Sequence, residues 1–145
     1  MSKLSAILVD SGILVAYYSA DDKDHAQVKE FLERSTSHLI TSVACITEVM
    51  WLLAPDWRVQ NEFLSDLAKE LYEWCQLLPQ DFERMAELNA QYADLPGDFA
   101  DLSLIAISER LNIAAIATLD KDFDIYRRYR NRVFERVFRP AKNEE

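Results

Sequence analysis

The 145-residue chain is half hydrophobic and 28% charged, a composition typical of a globular domain with one hydrophobic core. Its formal net charge of −9 argues against a protein that holds nucleic acid by charge alone, and no apolar run reaches the ~20 residues of a membrane span. The two cysteines have neither metal-binding nor redox spacing, and the N-terminus does not have the long apolar region of a secretory signal. We therefore expect a cytoplasmic protein with reduced thiols and no membrane association.

Strand-like and helix-like segments alternate along the chain. Short apolar runs predict strands over residues 4–9, 38–42, 75–79, 113–118 and 132–138. Helical spacing of apolar residues predicts helices over 11–19, 21–35, 42–54, 57–74, 80–94 and 98–111. This alternation predicts an α/β fold, with a mainly parallel five-stranded sheet flanked by helices on both faces. We expect one domain over residues 1–145, whose basic segment 126–139 contains the last strand.

The segment GDFADLSLIAISERL, residues 97–111, begins with two acids although the helix that follows is apolar. Asp98 and Asp101 lie three residues apart and so share one helical face. Taken alone, the pair is best explained by capping, with Asp98 as the N-cap and Asp101 at the third helical position. Asn112 is placed to adopt the left-handed conformation that ends this helix. A chemical role for the two acids depends on the rest of the chain.

Further acids follow the predicted strands. Asp10 comes directly after the first strand, Asp120 comes two residues after the fourth, and Glu48 is the one acid in the segment ACITEVMWLL. Each has a simpler explanation alone, a strand-end turn for the aspartates and a solvent-facing helical position for Glu48. The carboxyl ends of parallel strands form one edge of a sheet, where ligands bind, so we expect all five carboxylates to converge there.

Carboxylates gathered at one edge repel one another unless a cation offsets their charge. Ligation by oxygen alone, with water in the remaining positions, suits Mg²⁺ or Mn²⁺. Two such ions can activate a water molecule and stabilise a leaving oxygen during phosphodiester cleavage. The sequence therefore predicts a metal-assisted hydrolytic site.

Four segments in this order resemble a PIN domain, and within that family the VapC-type toxins of bacterial toxin–antitoxin pairs: ILVDSGILVAYYSADDKDHA, TSVACITEVMWLL, LPGDFADLSLIAISERLNI and IATLDKDFDIYR. By position, the resemblance implies that Asp10, Glu48, Asp101 and Asp120 are catalytic and bind metal, and that Asp98 is an additional metal-binding acid. It further implies a PIN-like fold and an Mg²⁺- or Mn²⁺-dependent endoribonuclease that acts on RNA, forms a homodimer and is inhibited by a cognate antitoxin.

Several other residues keep two interpretations. Ser11 and Thr118 either hydrogen-bond a carboxylate or phosphate, or are ordinary polar residues at strand ends. His25 matches a frequent feature of the family and is expected to be structural. Trp51, like Tyr17 and Trp57, could stack on a base or line a partner groove, but its apolar neighbours favour packing in the core.

The arginines of segment 126–139 form either a solvated edge or a phosphate-binding strip on an acidic body.

Two other functions fit part of the sequence. A catalytically silent PIN-like module would dimerise and hold a partner without cleaving RNA, and the complete acid set argues against it. A phosphotransfer enzyme would use Asp10 as a nucleophile, but its usual D-x-D pattern fails because residue 12 is glycine.

Overall fold

The computed structural model describes residues 5–141, and its strands confirm the predicted α/β architecture. The strands are β1 (Ala6–Val9), β2 (His38–Ser42), β3 (Glu73–Cys75), β4 (Ala115–Ala117), β5 (Arg127–Arg128), β6 (Arg132–Val133) and β7 (Glu135–Phe138). Five of them form a parallel sheet in the order β3-β2-β1-β4-β7, and β5 pairs with β6 in a separate antiparallel hairpin.

Six helices cover both faces of this sheet, as predicted. They are α1 (Ser11–Tyr18), α2 (His25–Arg34), α3 (Val43–Leu52), α4 (Trp57–Ala68), α5 (Pro79–Gln91) and α6 (Phe99–Arg110). Leu8 of β1 packs with α5 and α6, whereas Ile7 and Val9 pack with α1 to α4 on the other face. Because β1 is buried on both faces, its sequence is apolar throughout. No helix between residues 5 and 141 combines the length and the apolar character needed to cross a membrane.

The predicted helix over 57–74 is too long, and the predicted strand over 75–79 is displaced. Helix α4 ends at Ala68, and Glu70 has a left-handed backbone with a φ of 61°, so the chain turns into β3 before Trp74. The side chains of Leu71 and Trp74 continue the helical spacing of apolar residues, but they are 56% and 48% exposed. The helical spacing of apolar residues therefore predicts a longer helix than the segment that packs against the core.

The predicted strand over 132–138 is two strands. Its first residues form β6 in the hairpin, and its last residues form β7, which pairs with β4. Phe134 separates the two strands and is buried. The first residue of the predicted strand over 4–9, Leu4, lies outside the described residues.

The sheet order places β1 at a topological switch point. From β1 the chain adds β2 and β3 on one side, and then β4 and β7 on the other. In parallel α/β sheets, ligands bind beyond the carboxyl ends of the strands at such a reversal.

Candidate functional site

Asp10 lies at the carboxyl end of β1 and is buried. Its Oδ1 accepts a hydrogen bond from the backbone N–H of Ser11 at 2.8 Å and so caps α1. Its Oδ2 accepts a hydrogen bond from the hydroxyl of Thr118 at 2.7 Å. Burial raises the pKa of Asp10 to about 6, although both hydrogen bonds act in the opposite direction. The two central strands therefore fix this carboxylate in place.

Thr118 also positions Asp120. The hydroxyl of Thr118 accepts a hydrogen bond from the backbone N–H of Asp120 at 2.9 Å. Asp120 in turn accepts one from the N–H of Asp122 at 2.9 Å, where a short 3-10 turn begins. One hydroxyl thus serves two of the predicted site acids, and the negative charge of Asp120 contributes to the raised pKa of Asp10.

Glu48 lines the same cleft from α3 and is half-buried. The hydroxyl of Ser11 donates a hydrogen bond to Glu48 Oε1, and Ser11 is itself buried. Burial, and then the negative charge of Asp98, raise the pKa of Glu48, while the bond from Ser11 lowers it. Ser11 therefore positions Glu48 through a hydrogen bond, as Thr118 positions Asp10.

Asp98 and Asp101 form the predicted cap of α6. The N–H of Asp101 donates to Asp98 Oδ1 at 2.8 Å, and the N–H of Asp98 donates to Asp101 Oδ2 at 3.3 Å. Both side chains also line the cleft. Burial, followed by the charges of Asp10 and Asp98, raises the pKa of Asp101 to about 8. Capping is thus real, but it is not the whole environment of these two acids.

Two residues beside this cap are absent from the sequence-based prediction. A Cβ atom on Gly97 would lie 3.1 Å from the hydroxyl oxygen of Tyr126 and 3.3 Å from the Cβ of Asp101. A side chain at residue 97 would therefore require Tyr126 or Asp101 to move by a few tenths of an ångström. Tyr126 comes from the far end of the chain, so sequence spacing gives no signal of this contact.

The carboxylates share one cleft of about 300 Å³, which also contains the apolar side chains of Leu52 and Leu119. Its lining within the described residues is the following set, which includes no basic side chain: Asp10, Ser11, Gly12, Glu48, Leu52, Asp98, Asp101, Leu119 and Asp120. The predicted convergence of the acids is therefore found in the structure. Burial is the largest cause of the raised pKa values of Asp10, Glu48 and Asp101, and the charges of neighbouring acids, which no lining cation offsets, raise them further.

The donor set suits a hydrated divalent cation. Carboxylate oxygens are the ligands that Mg²⁺ and Mn²⁺ prefer. Within residues 5–141, no three carboxylate, imidazole or thiol groups lie close enough together to hold an ion. This spacing fits an ion that contacts one or two carboxylates and keeps several waters, which is the usual behaviour of Mg²⁺ in proteins.

His25 and Trp51 are not among the residues that line the carboxylate cleft. The Nδ1 atom of His25 lies 2.8 Å from the carbonyl oxygen of Ala16, which joins α1 to α2 and agrees with a structural role. Trp51 is 78% exposed, so the prediction that it packs in the core is wrong. Its neighbours Val49 and Leu53 are buried, but Trp51 lies two residues from each and so on the opposite side of the helix. Apolar neighbours in the sequence therefore do not show that Trp51 is buried.

A larger groove, of about 910 Å³, lies between α1, α2 and α4. Its acids are interspersed with basic residues, among them Lys29, Arg58 and Lys69. It therefore does not concentrate uncompensated negative charge as the carboxylate cleft does.

Most arginines of segment 126–139 bind protein groups. Arg128 is buried and donates to the hydroxyl and the carbonyl oxygen of Ser108, and Arg127 donates to three nearby backbone carbonyls. Arg136 and Arg139 both pair with Asp124. Arg130 and Arg132, in the hairpin, are exposed. Any phosphate-binding strip is therefore much smaller than the sequence suggests.

Known proteins resemble this chain in sequence and in fold. The PIN domain family profile matches residues 7–129. Ribonuclease VapC26 of Mycobacterium tuberculosis is 28% identical over 117 residues, which cover 79% of this chain and 87% of that protein.

Two solved structures share the fold. VapC20 of Mycobacterium tuberculosis, described as a sarcin–ricin loop cleaving toxin, matches with a TM-score of 0.76 and 19% identity over 83% of this chain and 94% of that one. VapBC2 of Rickettsia felis, solved bound to a DNA fragment from their promoter, matches with a TM-score of 0.63 and 16% identity over 90% of this chain and 97% of that one.

Proposed function

This chain belongs to the PIN-domain family, and on that premise we propose that it is a divalent-metal-dependent endoribonuclease and the toxin of a type II toxin–antitoxin pair. The resemblance to VapC-type PIN domains that the sequence predicted is confirmed, and a relative of this kind bears the name ribonuclease. The proposed substrate is an RNA phosphodiester bond, and the proposed cofactor is Mg²⁺ or Mn²⁺.

The observation that carries this proposal is the cleft at the switch point. Five carboxylates line it, and no basic side chain of the described residues does. Repulsion among these carboxylates opposes folding unless a bound cation offsets their charge. Acids in a cleft whose pKa values are shifted by burial and by neighbouring charges are candidates for a functional site.

We assign the site residues as follows. Asp10, Asp101 and Asp120 hold the metal directly or through water, Asp98 supplements them, and Glu48 either binds metal or orients the attacking water. When bound, the ion supplies an activated water and charge stabilisation for the leaving 3′-oxygen.

The protein itself positions these carboxylates through hydrogen bonds. Thr118 keeps one oxygen of Asp10 facing β4, and Ser11 keeps Glu48 facing the cleft. Burial and the charges of Asp10 and Asp98 raise the pKa of Asp101, so in the metal-free protein it holds its proton to higher pH than an ordinary carboxyl. Metal binding then requires release of that proton, so we expect affinity for the ion to rise with pH.

We also propose two protein partners, a cognate antitoxin and a second copy of this chain. Support for the antitoxin comes from the fold shared with the VapBC2 structure, whereas the second copy rests on the family resemblance alone. Co-expression with the product of an adjacent small gene should yield a stable complex whose ribonuclease activity is lower than that of the free protein. Recovery of free, fully active protein from that co-expression would contradict the antitoxin proposal.

The direct test is incubation of the purified protein with total RNA, with and without Mg²⁺ or Mn²⁺, followed by mapping of new 5′ ends. We expect discrete cleavage that requires the ion and is abolished in Asp120→Asn. Glu83→Gln, which removes an exposed acid of α5, is the matched control and should cleave like the wild type. Binding of RNA without cleavage in every metal would instead indicate the silent PIN-like module.

A further inference from the structure

The surface of α3 beside the carboxylate cleft is unusually apolar. Trp51 and Leu52 follow Glu48 by three and four residues, so all three side chains share one side of the helix. Leu52 itself lines the cleft, and it is 49% exposed. Trp51 is 78% exposed and follows Glu48 by about one helical turn along α3.

Charge gives this protein little hold on a phosphate backbone. The chain has a net charge of −9, and the cleft lining within the described residues includes no basic side chain. Four of the six arginines in segment 126–139 bind protein groups. Substrate affinity must then depend strongly on contacts that carry no charge. Stacking of unpaired bases on aromatic rings is such a contact.

We propose that Trp51 is the platform on which an unpaired base of the RNA stacks next to the cleaved phosphodiester bond. Leu52 forms the edge of this base site toward the carboxylates. The inference rests on the proposed ribonuclease function and requires that the RNA present an unpaired base beside the cleaved bond. It also assigns Trp51 a part in selecting the cleavage position, because purines stack more strongly than pyrimidines.

Trp57 provides a matched control within the same chain. It is also exposed, at 60%, and lies at the start of α4. The guanidinium of Arg58 lies over its ring at 5.0 Å, and α4 contributes no residue to the cleft lining, whereas α3 contributes Glu48 and Leu52. One tryptophan is thus placed to stack on substrate, and the other is already covered on one face.

The experiment measures the Kd of labelled single-stranded oligo(rA) and oligo(rU) in EDTA for the wild type, Trp51→Ala, Trp51→Phe and Trp57→Ala. Trp51→Ala should weaken oligo(rA) binding about ten-fold or more and abolish the preference for oligo(rA). Its affinity should keep the same dependence on salt, because the substitution leaves every basic side chain in place. Trp51→Phe should retain most of the affinity, and Trp57→Ala should retain all of it. Melting temperatures should be unchanged, since Trp51 is exposed.

Other outcomes overturn the proposal in distinguishable ways. If the wild type cleaves RNA with Mn²⁺ and Trp51→Ala binds as tightly, the stacking proposal alone fails. Equal losses of affinity in the Trp51 and Trp57 variants would also contradict it. If Trp51→Ala leaves RNA affinity intact but changes the sedimentation of the protein or its binding of an antitoxin, the occupant of this surface is a protein. If the wild type neither binds nor cleaves any RNA, the proposed function fails together with this inference.

Discussion

The carboxylate cleft and segment 126–139 differ in whether their charged side chains have partners of opposite charge. In the cleft, carboxylates face one another with no basic side chain among the described lining residues. In the segment, four of the six arginines are paired or hydrogen-bonded, as Arg136 and Arg139 are with Asp124. Both regions stand out equally in the sequence. The difference teaches that charge left uncompensated marks the candidate site, whereas compensated charge marks the scaffold.

The two regions meet at Thr118. Its hydroxyl donates to Asp10 at 2.7 Å, and its carbonyl oxygen accepts from Nη2 of Arg136 at 2.9 Å. The side chain of Arg136 is only 3% exposed, so it cannot also contact RNA. The arginine segment therefore stabilises the cleft through the contact with Thr118. It does not form a continuous surface for nucleic acid.

The largest expected effect separates the two acids that cap α6. Asp101→Asn should abolish detectable RNA cleavage, because Asp101 is half-buried among the other acids and is proposed to hold the metal. Asp98→Ala should retain much of the activity, since Asp98 is exposed and chiefly caps the helix. Removal of that cap should lower the free energy of unfolding by roughly 1 kcal/mol. Single-turnover cleavage and urea denaturation measure both effects.

The Asn substitution is chosen at position 101 because it preserves the size of the side chain and can still accept from the N–H of Asp98. If Asp101→Asn and Asp98→Ala both cleave RNA at the wild-type rate, capping is the whole function of this pair.

The next effect tests whether Asp10 belongs to a metal site or to a strand-end turn. Wild-type protein should gain stability with Mn²⁺, by roughly 2.7 kcal/mol at 100 times Kd, because the ion binds only the folded chain. Asp10→Asn should lose most of this gain. Without metal the variant should melt at the wild-type temperature or above, because one buried negative charge is removed. Paired melting curves with and without Mn²⁺ provide the measurement.

Glu83→Gln on α5 controls for net charge and should keep the full Mn²⁺ shift. A metal-free Asp10→Asn protein that is clearly less stable than wild type, yet keeps the Mn²⁺ shift, would show that Asp10 is a structural turn residue.

The pH dependence of stability should have opposite signs in the two regions. The pKa values of Asp10 and Asp101 are raised from 3.8 to about 6 and about 8, so between pH 4 and 8 the folded protein binds protons that the unfolded chain has released. The free energy of unfolding of the metal-free protein should therefore fall as pH rises through this range. Hydrogen bonds from Arg139 and Arg136 lower the pKa of Asp124, and that contribution disappears as pH falls.

Melting temperatures in EDTA across this pH range test the sign. Asp101→Asn should remove the part of the fall near pH 8, and Glu83→Gln should leave the profile unchanged. A metal-free wild-type protein whose melting temperature rises steadily from pH 4 to 8 would contradict the raised pKa values of Asp10 and Asp101.

The parts of the fold that the sequence predicted are those governed by local chemistry. The apolar runs of β1 and β4 require burial on both faces, and the acids that follow them therefore lie at one edge. Asp98 has the short acceptor that a cap requires. Asn112 tolerates the left-handed backbone that ends α6, with a φ of 55°. Each of these can be predicted from a residue and its immediate neighbours.

The parts that it missed depend on interactions between distant segments. Arg128 is buried because Ser108, on another element, accepts its hydrogen bonds. Trp51 is exposed because α3 packs the opposite side, with Val49, against the core. Hydropathy reports that a side chain is apolar, but not which side of its helix is covered. The bonds that Ser11 and Thr118 make to site acids likewise remained one of two interpretations until the fold brought their partners together.

The smallest expected effect concerns the arginines that remain free to meet RNA. The double variant Arg130→Gln with Arg132→Gln changes two exposed hairpin residues and should leave the melting temperature unchanged. If both arginines bind phosphates, the slope of log Kd against log salt should flatten by about 0.7 for each phosphate that the variant no longer neutralises. Arg128 is unsuitable for this test, because replacing it would leave the Ser108 carbonyl without its donor and destabilise the fold. An unchanged slope would assign the hairpin to solvent and leave base stacking as the main source of RNA affinity.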